Sequence, residues 1–311
     1  MRVFVTGASG WIGSAVVPEL IAAGHQVLGL ARSDDSAATL SAAGVDVQRG
    51  TLDDLDSLRQ GAQASDGVIH LAFKHDLAFT GDFQGAADAD RRAVEIFGEV
   101  LAGSQRPLVI ASGTLGIAPG RVATERDGHE DNPSVSALGG GPRARWATAE
   151  FVLSLASRGV RSSVMRLPPT NHGDGDSGFM ATLVAIARAK GVSGYVGDGT
   201  NRWPAVHRLD SARLFRLALE DAPKGSTLHA VADEGVPIRD IAEAIGRQLE
   251  LPVVSIPPEE AGGHFTWLAP FLAADSPASS ALTREMMRWQ PTQPGLIEDL
   301  DQGHYFRNPS A

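Results

Sequence analysis

The sequence predicts a doubly wound α/β fold, a parallel sheet covered on both faces by helices, followed by a smaller α/β region. Three observations carry this expectation. Short apolar runs of strand length alternate with helical patterns through residues 1–167. The first run ends in a glycine-rich turn that opens straight into a helical stretch. After Leu167 the alternation loosens into loops, aromatic residues and amphipathic helices.

Taken in order, Arg2–Thr6 reads as a buried strand and Trp11–Ala23 as a helix closed by Gly24. His25–Ala31 is the second strand, Asp34–Ala43 the next helix and Val45–Arg49 the third strand. Leu52–Gln60 reads as a helix, "GVIHLA" (Gly67–Ala72) as a fourth strand and Gly81–Ala102 as one long helix. "PLVIAS" (Pro107–Ser112) is the fifth strand. The polar, glycine-rich Thr114–Gly141 is expected to loop over the sheet's carboxyl edge. Pro142–Arg158 is a helix with proline in its first turn and Gly159 past its end, and Val160–Leu167 is the sixth strand. Beyond it, "LPPTNHGDGDSG" reads as a loop and Phe179–Ala189 as a helix. A strand, a turn and a helix are expected over "YVGDGTNRWPAVHRLDSARLFRLALE", then an amphipathic helix over "VPIRDIAEAIGRQLEL". The division expected is a doubly wound region, 1–167, and a smaller region, 168–311, partly interleaved with it.

Composition narrows the function. The 311 residues are 43% hydrophobic, enough for a sizeable core. A net charge of −10 without a basic run argues against nucleic acid or an anionic membrane as partner. With no cysteine there is neither a disulfide nor a thiolate metal site, and no His, Asp or Glu cluster has metal-ligand spacing. No apolar stretch reaches the roughly 20 residues of a membrane span, and no signal-peptide pattern opens the chain. A soluble cytoplasmic protein is expected.

The turn "TGASGWIG" places Gly7, Gly10 and Gly13 between a strand and a helix. Gly7 permits a tight turn, Gly10 lets backbone approach a pyrophosphate, and Gly13 lets the helix pack closely on the strand. The helix N-terminus supplies free N–H groups and the positive end of its dipole. The loop, with Ser9, Trp11 and Ile12 between its glycines, therefore predicts a Rossmann-type dinucleotide site. The end of the second strand selects the dinucleotide. An acid there favours NAD, whereas an arginine accommodates the 2′-phosphate of NADP. Arg32 and Ser33 stand in that place, and Asp34 and Asp35 read as the cap and first turn of the next helix. NADP(H) is the cofactor expected.

These stretches resemble the extended and atypical short-chain dehydrogenase/reductases, the group that includes sugar-nucleotide epimerases and dihydroflavonol reductases. "TGASGWIG" is similar to their TGxxGxxG, and "GTLDD" around Asp53 to their adenine-contacting acid. "HLA", with Leu71 and Ala72, resembles the segment under the cofactor ribose. "RLPPTNHGDGD" resembles their RPxxxYGPGD, whose proline, here Pro168, lies near the nicotinamide. "PAVHRLDSARLFRLALE" and "MMRWQPTQPGLIEDL" match two later family segments in the right order. The resemblance implies a nicotinamide-dependent enzyme and a homodimer paired through Gly81–Ala102 and Pro142–Arg158.

One feature departs from the group. Its catalytic pair is Tyr-x-x-x-Lys, in which the lysine lowers the tyrosine's pKa and holds the nicotinamide ribose. The chain has two tyrosines, Tyr195 and Tyr305, and neither has a lysine four residues on. Matching the family glutamate that follows the lysine to Glu150 puts Trp146 at the lysine position and Pro142 at the tyrosine position.

Other groups must then serve the chemistry. "ASGTLG" after the fifth strand offers Ser112 or Thr114 to hydrogen-bond an acceptor, or merely to close a turn. Ser112 also falls at the cofactor's edge. His172 stands in the expected nicotinamide loop as a proton source, or is a plain surface residue. His75 and Asp76 follow the fourth strand, where ligands bind, although surface is their default. "GGHFTWLAPFLAAD", with Phe265, Trp267, Leu268 and Phe271, suggests an apolar substrate pocket, a dimer contact or helix core.

The expected function is NADPH-dependent reduction of a C=O or C=N bond in a bulky apolar molecule, a ketone or an imine. An iminium acceptor is already protonated and asks for no strong acid. The alternatives are a sugar-nucleotide epimerase or dehydratase, which needs a base to start oxidation, and a non-catalytic NADP-binding sensor.

Overall fold

The computed structural model describes residues 1–128 and 140–307. Six strands and their helices follow the expected order: β1 (Arg2–Thr6), α1 (Gly13–Ala22), β2 (Gln26–Ala31), α2 (Asp34–Ala42), β3 (Asp46–Arg49), α3 (Leu55–Gln63), β4 (Gly67–His70), α4 (His75–Phe79), α5 (Phe83–Leu101), β5 (Pro107–Gly113), α6 (Gly140–Ser154) and β6 (Arg161–Leu167). The tail adds β7 (Thr170–His172), α7 (Phe179–Lys190), β8 (Ser193–Val196), β9 (Arg202–His207), α8 (Arg208–Asp221), β10 (Ser226–His229), β11 (Asp233–Pro237), α9 (Ile238–Leu249) and β12 (Val253–Ile256).

The central sheet has seven strands in the order β10-β6-β5-β4-β1-β2-β3, all parallel. Strand order reverses beside β1, so the carboxyl ends of β1 and β4 border the crevice in which doubly wound sheets bind ligands. Val3, Phe4 and Val5 of β1 are fully buried, as both-face cover requires. One face packs on α1 and α8 through Val16, Leu20, Leu214 and Phe215. The other packs on α3, α5 and α6 through Leu58, Phe97 and Val152. A separate apolar core joins α7, α9 and the late helical segments, around Trp203, Ile241 and Phe265.

Several expectations shift. α1 starts at Gly13, because Trp11 and Ile12 belong to the turn. Ser33, not Asp34, caps α2; its hydroxyl accepts from Ser36 N, and the two residues form a capping box. α3 starts at Leu55 because Asp54 caps it, accepting from Ser57 N at 3.0 Å. The long helix expected over Gly81–Ala102 starts at Phe83, where Asp82 caps it, and the short α4 precedes it. The loop read over "LPPTNHGDGDSG" contains β7, which pairs in parallel with β9. Within the expected loop Thr114–Gly141, residues up to Gly128 are irregular, and Ala123 bridges to Ala278. Residues 129–139 lie outside the described residues, and α6 begins at Gly140. Among the described residues no helix is long and apolar enough to cross a membrane.

Candidate active site

The glycine turn is built as a cradle. Gly7 has φ +68°, and a Cβ there would stand 2.8 Å from Ala72 N. Only glycine lets β1 end this close to the segment after β4. A Cβ on Gly13 would fall 2.1 Å from Gly7 O, so the helix rests directly on the turn. Gly10 N donates to Gly7 O at 3.0 Å, which closes the turn. Ser9 and Gly10 are exposed, no side chain caps α1, and its first turn holds no acid. An open glycine turn and an uncapped helix start suit a pyrophosphate. Trp11 ties this cradle to β7 and α8. Its Nε1 donates to Asn171 O at 2.7 Å, and the Arg208 guanidinium lies 4.1 Å over its ring.

A buried chain of hydrogen bonds fixes the neighbouring strand end. Asp90 of α5 accepts from His70 Nε2 at 3.1 Å, and His70 Nδ1 meets the Thr6 hydroxyl at 2.7 Å. Thr6 Oγ1 accepts from Ala72 N at 3.3 Å. This chain holds Leu71 and Ala72 against the glycine turn. His70 was legible only as part of "HLA"; its partner Asp90 lies twenty residues on, in another element.

At the far end of β2, Arg32 is exposed and pairs loosely with Asp76 at 3.6 Å. Ser33 is tied up as the cap of α2. Sequence reading missed Arg49, which sits beside Ala31 in the β2–β3 register, donates to Ser33 O and bonds Asp34 at 2.8 Å. Two guanidinium groups therefore stand at this edge. Asp53 lies at the same edge, its carboxylate held by Lys74 at 2.6 and 2.8 Å, with Arg92 at 3.8 Å.

At the carboxyl end of β5, Ser112, within the strand, and Thr114, just past it, are both buried. Thr114 N donates to Leu167 O at 3.0 Å, while its Oγ1 is buried without a partner among the described residues. Pro168 follows β6 directly and its carbonyl accepts from Asn171 Nδ2 at 2.9 Å. In α6, Trp146 packs against Ile117, Ala118 and Ala123, so the position matched to the family lysine joins an apolar cluster. Its neighbour Arg145 turns to the sheet: one guanidinium nitrogen donates to Ala111 O at 2.9 Å, and the group lies 4.2 Å over the Phe73 ring.

His172 is placed differently from expectation. It is a strand residue with no exposed surface, neither a loop residue nor a surface one. Its Nδ1 meets Asp299 at 2.9 Å, and Asp299 also takes His304 Nε2 at 3.0 Å. Burial raises the Asp299 pKa, but bonds from both histidines outweigh it and hold the carboxyl below its ordinary range. Nε2 of His172 has no partner among the described residues and the ring faces His207, centroids 5.4 Å apart. No hydrogen bond or ring contact among the described residues joins His172 to Ser112 or Thr114. Both tyrosines are engaged in other contacts. Tyr195 lies in β8 under Arg239. Tyr305 donates to Asp176 at 2.9 Å and accepts from Gly173 N, and burial pushes its phenol far above the ordinary range. Phe265 and Leu268 are core, whereas Trp267 is 43% exposed against Phe179. Among the described residues no cluster of His, Asp and Glu could hold a metal.

The profile of the NAD dependent epimerase/dehydratase family matches residues 3–230. The chain belongs to that family. It is thereby one of the extended short-chain dehydrogenase/reductases, as the glycine turn and the later segments suggested. An uncharacterized protein of Schizosaccharomyces pombe is 48% identical over 98% of this chain and 100% of its own length. A 4-hydroxy-2-methyl-3-oxo-4-farnesyl-3,4-dihydroquinoline-1-oxide ketoreductase of Stigmatella aurantiaca is 26% identical over 89% of this chain and 84% of its own. Among solved structures, a dTDP-glucose 4,6-dehydratase double mutant of Streptomyces venezuelae with NAD bound superposes with a TM-score of 0.77. It is 18% identical and the match covers 99% of this chain and 98% of that one, a likeness of fold.

Proposed function

We propose that this family member is an NADPH-dependent reductase that passes hydride to the C=O or C=N carbon of a bulky, apolar small molecule. The observation that carries the reading is the basic edge at β2 and β3. Where an NAD site keeps an acid for the ribose hydroxyls, this chain sets Arg32 and Arg49. The cradle of Gly7, Gly10 and Gly13 would hold the pyrophosphate, and Leu71, Ala72, Ser112 and Pro168 would line the nicotinamide half. Asp53 would face the adenine. When bound, the dinucleotide supplies the hydride.

The chain's own residues bind and orient. Ser112 or the unpartnered Thr114 hydroxyl would donate to the acceptor. Water or a histidine would deliver the proton; His172 could do so only through the buried file it forms with His207. Residues 1–167, completed by α8 and β10, form the dinucleotide side, and the rest of 168–311 forms the substrate side. A ketoreductase among the relatives supports reduction of a carbonyl, and the aromatic group of Phe179, Trp267 and Phe271 supports an apolar acceptor. We further propose a cytoplasmic homodimer through α5 and α6, where Phe151 and Leu153 remain only partly covered.

The test is NADPH consumption against a panel of bulky ketones and cyclic imines. Turnover with sugar nucleotides alone would favour an epimerase or dehydratase; tight binding without turnover would favour a sensor. Light scattering at micromolar concentration tests the dimer, and a monomer would end that part.

A further inference from the structure

The carboxyl edge between β4 and β5 carries a second cluster of chemistry-bearing groups. Phe73 lies three residues past β4, and its ring is flanked on two sides. The Arg145 guanidinium lies 4.2 Å above it, and the His75 ring meets it edge-on with centroids 5.1 Å apart. Phe83 of α5 backs it at 5.6 Å. Arg145 is anchored a second time, on Ala111 O at 2.9 Å, one residue before Ser112. A cation from α6, held on the β5 backbone, and an imidazole from α4 therefore meet on the Phe73 ring, next in the chain to Ala72, which is itself pressed on Gly7 of the cradle.

The other histidines near this end of the sheet are buried. His70 lies between Thr6 and Asp90, His172 is fully buried against Asp299, and His229 meets Ser279 O and Arg166. His75 stands at the first residue of α4, where solvent reaches it.

We propose that His75 is the proton donor of this site and that Arg145, clamped between the Phe73 ring and the Ala111 carbonyl, is its positioning residue. The inference rests on the reductase reading. In the step, the acceptor carbon of a ketone gains the hydride and its electron pair from the dihydronicotinamide, which is oxidised. The C=O π bond breaks toward oxygen, and that oxygen takes a proton from the His75 imidazolium. The neutral imidazole is then reprotonated by water. An iminium acceptor arrives with its proton and uses only the first half.

The surroundings of His75 make its imidazolium a stronger acid than a free histidine and shrink the protonated fraction at neutral pH. Desolvation by the packed groups around the ring lowers its pKa, Arg145 of α6 lowers it further, and Asp76 of α4 and Asp90 of α5 raise it. Asp76 is in turn shared with Arg32. Because the donor must be protonated, ketone kcat/KM is flat below the His75 pKa, which lies under the ordinary 6.5, and falls tenfold per pH unit above it.

Two measurements on the full chain test this. Histidine-labelled protein, titrated by NMR without cofactor or substrate, reads the His75 pKa directly, with H75Q assigning the resonance. The wild type titrates below 6.5; R145Q moves the value up and R145K restores most of the shift. Kinetics read the role. H75Q loses about 10²–10⁴ in kcat/KM with ketones, keeps most activity with pre-formed iminium substrates, and binds NADPH as the wild type does. Equal activity of H75Q and wild type on ketones overturns the donor role. So does an equal loss on both substrate classes. A His75 titration that ignores R145Q overturns the role of Arg145. A wild type that turns over neither class sinks the reductase reading, and the donor role with it. A wild type active on both, with H75Q unimpaired, sinks this proposal alone.

Discussion

Arg32→Asp is the sharpest perturbation of the cofactor edge. Arg32 lies at the end of β2 with its side chain 74% exposed, and the nearest carboxylate, Asp76, is 3.6 Å away. It can therefore turn to a ligand at little cost. Two unit charges about 4 Å apart in water interact by about 1 kcal/mol, and a 2′-phosphate carries a charge of about −2. Exchanging attraction for repulsion thus changes the interaction by about 4 kcal/mol before screening. Salt and the exposure of the side chain remove about half, leaving about 2 kcal/mol, or roughly thirtyfold in Kd. NADH carries no phosphate there, so its affinity should hold or improve. The assay is fluorescence titration of both dinucleotides on wild type, R32D and R49A. R49A should weaken NADPH less, because Arg49 is partly spent on Asp34 and Ser33 O. An NADPH/NADH ratio unchanged in both variants would refute the reasoning.

Gly13→Ala puts a methyl 2.1 Å from Gly7 O, and backbone must move; overpacking of this kind costs about 1–3 kcal/mol. The expected result is a lowered Tm together with at least tenfold weaker NADPH binding, and wild-type values for both would contradict the cradle. His229 should make the fold acid-sensitive. Its Nδ1–H donates to Ser279 O at 2.8 Å, and Nε2 faces Arg166 at 3.4 Å. Burial, then the Arg166 charge, lower its pKa from 6.5 to about 4. The folded state resists the proton that the unfolded chain accepts, so stability is complete above pH 6.5 and falls on acidification through the window down to about 4. The loss is about 3 kcal/mol. Urea melts of H229N should show a shallower loss across this window; an identical slope would remove His229 as the cause. Tyr195→Phe should keep most of the activity, since the ring belongs to β8 and stacks under Arg239; abolished turnover with intact NADPH binding would make a relocated tyrosine the acid.

The sheet was legible because its strands are continuous apolar runs. Arg2–Thr6 and Pro107–Gly113 need no partner sequence to be recognised. The glycine turn was legible because each glycine has a separate steric reason, now visible at Gly7 and Gly13. β10 was not read: "STLH" is four residues without alternation, and only pairing with β6 makes it a strand. β7 was hidden in the same way, since Thr170–His172 is short and lies among glycines and prolines. Helix starts moved where a cap outranked the apolar pattern, as at Asp54 and Asp82. The site was half legible. Arg32 follows from its distance to the glycine turn, but Arg49 reaches the same edge only through the β2–β3 register. Arg145 was passed over because the family spacing points at Trp146, and one residue along a helix changes the face by about 100°. The burial of His172 depended on Asp299, which is 127 positions away.

The most direct measurement is the loss of dihydronicotinamide absorbance when the purified chain and NADPH meet a panel of bulky ketones and cyclic imines, repeated with NADH. An NADPH-dependent reductase gives acceptor-dependent oxidation that is faster with NADPH and yields the reduced acceptor in equal amount. NADPH that binds but is oxidised with no acceptor of either class would contradict that assignment.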